Sequence, residues 1–143
     1  METLPCAAPA AYVPYHALAF SGPSEEALSV GSDRPLPVTA TFGAAASEPL
    51  AGSASASAVV GPFLPELGRA IWLTLSGNWA GSVTVKRSTD AGATRLPLTF
   101  GGLAWASFTG NANEPVAEES VAGAAYYLDI ALVSGTLAYE VAQ

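Results

Sequence analysis

From residue 70 onward, apolar and polar side chains alternate with a period of two. In AIWLTLSG, Ile71, Leu73 and Leu75 share one face, with Trp72 and Thr74 opposite. GSVTVKRS repeats the pattern, with Val83 and Val85 set against Thr84 and Lys86. AAYYLDIALV places Tyr126, Leu128, Ile130 and Leu132 on one face and Tyr127, Asp129 and Val133 on the other. TLAYEV then aligns Leu137, Tyr139 and Val141. Strict alternation of this kind predicts half-buried strands, because successive side chains of a strand point to opposite faces. Turn residues separate the runs. SGNWAGS reads as a hairpin with Trp79 at its tip, Gly101-Gly102 as a hairpin between TRLPLTF and LAWASFT, and Ser134-Gly135 as a turn. PFLPELG, framed by Pro62 and Pro65, has room for at most one helical turn. The prediction for residues 61–143 is an all-β domain, an antiparallel β-sandwich or barrel-like fold.

Residues 1–60 have a different character. Pro5, Pro9, Pro14, Pro23, Pro35, Pro37 and Pro49 break any regular element, and the segment ends in the small-residue tract AAASEPLAGSASASAVV. Side chains that small bury little surface, so residues 1–60 are expected to be an extended arm and linker ordered by what they lie against. Within the arm, SDRPLPV (Ser32–Val38) is conformationally restricted. Pro35 and Pro37 favour extended backbone at themselves and at Arg34 and Leu36, leaving Leu36 and Val38 to project onto a partner. A segment that is already extended loses less entropy on docking. Pro35, Leu36, Pro37 and Val38 are therefore the candidate partner-docking residues.

Charge narrows the partners. Five Lys and Arg against twelve Asp and Glu give a formal net charge of −7 over 143 residues. An acidic surface repels phosphate backbones, so direct nucleic-acid binding is not expected. No run approaches the ~20 apolar residues of a membrane span, and METLPCAAPAAYVPYHALAF lacks the basic start and unbroken apolar run of a signal peptide. The chain is expected to be made in the cytoplasm and soluble. Cys6 is the single cysteine; it can form no internal disulfide, and no basic neighbour lowers its pKa. His16, the single histidine, lies in the proline-rich arm without a G-x-S-x-G elbow. No catalytic residue, cofactor or metal is expected. NANEPVAEES gathers Asn111, Asn113, Glu114, Glu118 and Glu119, but not in the order of an EF-hand, and reads as a solvated loop.

Two groups of side chains carry a possible surface role. Trp72, Trp79 and Trp105 could stack on sugars, with Trp79 the candidate surface-binding residue, although tryptophans mark cores and protein interfaces more generally. Arg69, Lys86, Arg87 and Arg95 lie in the β half, where they could blunt a sheet edge or complement an acidic neighbouring copy.

The stretch from Gly61 to Gln143 resembles small structural proteins of tailed bacteriophages and prophages, of the decoration or fibre type. The likeness lies in an LSG-W-G strand and turn, RSTDAGAT, a W-x-x-F strand, an NEPV-E segment and a YYL…SGTL-Y-V-Q ending, with S-x-x-PLPV between arm and domain. This resemblance implies a virion component without catalysis. It would be a capsid decoration (cement) or head-attached fibre protein, a homo-oligomer held to the major capsid protein or another virion protein through its arm. A tail or neck component is the alternative within that class, and a carbohydrate-binding module is the alternative outside it.

Overall fold

The computed structural model describes residues 19–21, 27–36, 38 and 43–143. The chain divides into two units, Met1–Phe42 and Gly43–Gln143. In the first, β1 (Ala19–Ser21) and β2 (Ala27–Ser29) form an antiparallel pair. The second is antiparallel β throughout, and no helix occurs among the described residues. Its strands are β3 (Leu50–Ala54), β4 (Ala58–Phe63), β5 (Ala70–Ser88), β6 (Leu96–Pro97), β7 (Thr99–Phe100), β8 (Leu103–Ala104), β9 (Ser107–Phe108), β10 (Ala112–Glu118) and β11 (Ala125–Ala142). The expected all-β antiparallel class is thus the observed one.

Two strands dominate the second unit. β5 and β11, of 19 and 18 residues, pair antiparallel from Ala125↔Ser88 to Ala142↔Trp72. Near one end of this ladder β10 flanks β5 and β3 flanks β11; towards the other end, β6 and β9 flank β5 and β4 flanks β11. A straight strand of 19 residues would span roughly 60 Å. Yet Ile71, Leu73 and Leu75 from one half of β5 share a single core with Val83 and Val85 from the other. The sheet must therefore curl around that core.

The bend falls where the sequence suggested turns. Gly77, Gly81 and Gly135 all have positive φ, and a bulge between Leu132 and Ser134 leaves Val133 without a partner on β5. The inserted residue changes the parity of β11. Before it Leu128 and Ile130 point inward; after it Leu137 and Val141 do. Both alternations were read correctly from the sequence, but the expected turns at SGNWAGS and Ser134-Gly135 do not exist. Trp79 pairs with Gly135 in the middle of β5, far from any hairpin tip. Glycines and a bulge bend paired strands without breaking the ladder.

The boundary between arm and domain also differs from the expectation at residue 60. β3 and β4 pair with β11, and Leu50, Ala54 and Val60 pack against the core. Small residues suit β3 because of a close approach. A β-carbon at Gly52 would lie 2.6 Å from the Tyr139 hydroxyl, so the tyrosine ring fills the space a larger residue would occupy. The side chain of Gln143 closes the same end of the unit. Its amide oxygen accepts from Glu66 N (2.7 Å) and Ser47 Oγ (3.1 Å), and its amide nitrogen donates to the carbonyls of Glu66 (3.0 Å) and Arg69 (3.1 Å).

The bend can be tested directly. At Gly135, φ is 89° and a β-carbon would lie 2.1 Å from the Asn78 carbonyl oxygen. Gly135→Ala should lose at least about 2 kcal/mol in urea unfolding, because the left-handed conformation and the backbone clash add. Gly110→Ala, at a position with open space around it, should stay within about 0.5 kcal/mol of the parent, as surface changes do.

Candidate functional site

The strongest concentration of exposed apolar surface lies on the connection from β6 to β9. β7 and β8 form a hairpin with Phe100 opposite Leu103, closed by Gly101 and Gly102 at φ 59° and 82°. Two successive positive φ values define a type I′ turn, so the Gly-Gly hairpin expected from the sequence is present. Phe100 is 79% exposed and Leu103 76%. Leu96, just before the hairpin, is also exposed.

Trp105 follows the hairpin and is held rigidly. Its backbone N–H donates to the Leu98 carbonyl (2.9 Å) and its indole N–H to the Val116 carbonyl (2.8 Å). The next residue, Ala106, is buried with φ at 51°, a conformation that costs a non-glycine residue roughly 1–2 kcal/mol. That backbone twist turns Ala106 into the core while Trp105 stays 48% exposed. Its ring lies 6.2 Å from that of Phe100, tilted by 49°. The two rings border a cleft of about 380 Å³ whose lining also includes Arg87, Glu118, Glu119 and Tyr126.

An ion pair between half-buried Arg87 and buried Glu119 lines part of this cleft. Arg87 on β5 and Tyr126 on β11 are opposite one another in the ladder. Both reach Glu119, just past β10. Arg87 Nε donates to Glu119 Oε2 (2.7 Å), Arg87 Nη2 to Oε1 (2.9 Å), and the Tyr126 hydroxyl to Oε2 (3.0 Å). The backbone N–H groups of Ser120 (2.9 Å) and Val121 (2.8 Å) complete the carboxylate's partners. Glu119 is only 2% exposed, and five hydrogen bonds make that burial tolerable. The Arg87 hydrogen bonds, opposed by burial, bring the Glu119 carboxyl from its ordinary 4.5 down to about 2. Burial and then the bond to Glu119 push the Tyr126 phenol from 10.0 up to about 12. Arg87 is held above its ordinary value, chiefly by Glu119.

The residues singled out in the sequence lie elsewhere. Pro35, Leu36 and Val38 are exposed in the first unit, Val38 at 86%; Pro37, Cys6 and His16 lie outside the described residues. SDRPLPV does not start extended. Gly31 and Arg34 exchange both backbone hydrogen bonds (2.9 and 3.1 Å) around a turn at Ser32-Asp33. Trp79 is half-buried against the core, and its indole N–H donates to Asn111 Oδ1 (2.9 Å), whose amide donates to the Gly77 carbonyl (3.1 Å). It staples the bend of β5 from a half-buried position against the core. NANEPVAEES is not a loop: Ala112–Glu118 is β10, paired with β5.

The cations of the second unit are used within it. Arg69 pairs with Glu66, Lys86 with Asp129 and Arg87 with Glu119, while Arg95 lies 5.4 Å over the Tyr127 ring. Sequence reasoning missed Phe100, Leu103 and the Arg87–Glu119–Tyr126 cluster. The Gly-Gly flanked by Phe100 and Leu103 was a readable signal for an apolar-tipped hairpin; the ion pair, 32 residues apart in sequence, left none. Comparisons with protein-family models, curated proteins and solved structures found no match to this chain.

Two outcomes follow from the buried carboxylate. Because the folded value of Glu119 is depressed, its contribution is complete above pH 4.5 and is lost as pH falls towards 2. A shift of that size corresponds to about 3 kcal/mol. Glu119→Gln should lose about that much at pH 7, since it leaves Arg87 without its counter-charge. It should also flatten the acid limb between pH 4.5 and 2 in urea titrations, relative to the parent.

Proposed function

We propose that this chain is a structural protein of a bacteriophage virion that works by covering the surface of another virion protein. The preferred location is the head, as a capsid decoration or head-attached fibre protein present in several symmetric copies. The observation that carries this reading is the β7–β8 hairpin, with Phe100 and Leu103 largely in solvent beside a fixed, half-exposed Trp105. Large apolar side chains gathered on one projection favour burial against a partner, and exposed patches of this kind mark interaction sites. The phage-like motifs between Gly61 and Gln143 supply the kind of partner. In this reading the first unit adds a second attachment point, through Pro35, Leu36, Pro37 and Val38.

A carbohydrate-binding role has one observation in its favour, the tilted Phe100–Trp105 pair beside polar groups. It would use Trp105, whose ring is 48% exposed, and not Trp79, which packs half-buried against the core.

The test is fractionation of particles produced by the phage or prophage that encodes the chain. The protein should co-sediment with tail-less heads, and averaged electron micrographs should show it at positions following capsid symmetry. Removal of residues 1–31 should release it from heads. Leu36→Asp with Val38→Asp should weaken attachment at least tenfold while leaving the unfolding midpoint unchanged, because a buried unpaired carboxylate is costly and neither side chain belongs to the core. Recovery only with isolated tails would move the protein to the tail or neck. Glycan binding lost in Trp105→Ala, by a protein absent from all particles, would favour the carbohydrate reading.

A further inference from the structure

We infer that the cleft behind the β7–β8 hairpin receives a lysine- or arginine-bearing segment of the partner protein. This deepens the docking reading above by naming the partner's chemistry, and it rests on charge complementarity. All three ion pairs of the second unit consume a basic residue at home, and Arg95 is placed over Tyr127. Glu48, Glu114, Glu118 and Glu140 have no ion-pair partner among the described residues. One of these, Glu118, is exposed and lines the same cleft as Phe100 and Trp105.

A cation entering there meets two aromatic rings and a carboxylate together. An ammonium or guanidinium is attracted to the face of a tryptophan or phenylalanine, most strongly when partly desolvated. The stem of a lysine or arginine would at the same time cover the apolar ring surface. Arg87 also borders the cleft, but its charge is already neutralised by both oxygens of Glu119. An anionic segment would instead face Glu118 with no unpaired cation to offset the repulsion.

The rigidity of the site points the same way. Trp105 is fixed by two hydrogen bonds, and Ala106 beside it is held in a left-handed conformation by the surrounding fold. Strain maintained next to a half-exposed aromatic is the pattern of a positioned binding residue. Little side-chain entropy remains for Trp105 to lose when a partner arrives.

The probes are acetyl-Leu-Lys-Leu-amide and its analogues with norleucine or glutamate at the centre, titrated into the full chain and followed by amide chemical shifts. The lysine peptide should shift residues 99–105 and 118–121 and bind about fivefold more tightly than the norleucine peptide, the increment of one exposed cation–π contact with a carboxylate nearby. The glutamate peptide should bind more weakly still. Glu118→Gln should reduce the preference for lysine to the cation–π part alone, about twofold, and Phe100→Ser should weaken all three peptides without altering shifts in the core. Equal affinity for the three peptides, shifts centred elsewhere, or no shifts at all would overturn the inference. The outcomes separate the two readings. A protein that fractionates with particles but shows no lysine preference sinks only this inference. Lysine-selective binding by a protein absent from particles sinks only the virion reading.

Discussion

One ladder, between Ala70–Ser88 and Ala125–Ala142, carries the second unit, and its constraint is that a strand pair this long must bend to enclose a single core. Every other strand from β3 to β10, apart from the β7–β8 hairpin, is joined directly to one of these two. The bend requires backbone that side chains would obstruct. A β-carbon at Gly81 would lie 2.2 Å from the Ala131 carbonyl oxygen, and at Gly135 a similar clash would arise with Asn78. The bulge at Val133 solves the accompanying problem of parity, keeping apolar residues inward on both sides of the bend. Trp79 packs on the core at the bend and, with Asn111, ties it to the start of β10.

Because the core is filled from both halves of the ladder, the outer connections are free to carry other features. The long excursion from β5 to β10 contains the aromatic hairpin, and only a few contacts tie it down: β6 and β9 against β5, the Trp105 hydrogen bonds, and the strained step at Ala106. Glu119 matters here for a mechanical reason. Its carboxylate joins β5 through Arg87, β11 through Tyr126, and the loop that follows β10. The floor beneath the proposed docking cleft is thereby fixed, so a partner meets a formed surface. A paired, hydrogen-bonded charge contributes positional specificity here, although a well-packed apolar substitute could match it in stability.

Internal use of the cations also shapes the surface. Arg69, Lys86 and Arg87 are each paired within the unit, so its outer field is set mainly by the carboxylates left over. An acidic surface carrying one apolar, aromatic projection favours partners that are basic and partly apolar, and disfavours polyanions. The proposed attachment to a virion protein draws on this combination of a hydrophobic anchor and a charge preference.

The sequence by itself determined the class of the fold and most of its core. Period-two alternation depends only on local chain geometry, so Ile71, Leu73, Leu75, Val83, Val85, Leu128, Ile130, Leu137 and Val141 could be assigned to buried faces without knowledge of their partners. The Gly-Gly hairpin was equally legible, because two adjacent positive φ values leave few other residues suitable. What only the tertiary structure decided was whether a glycine turns the chain or bends it. Gly77, Gly81 and Gly135 permit either, and pairing along the whole of β5 and β11 selected the bend. That choice moved Trp79 from an imagined tip into a staple, and drew residues 50–60 out of the arm and onto β11. The partnership of Arg87, Glu119 and Tyr126 was likewise invisible in one dimension. A charged residue looks the same in sequence whether it faces water or a buried counter-charge, and only the folded backbone brings the two together.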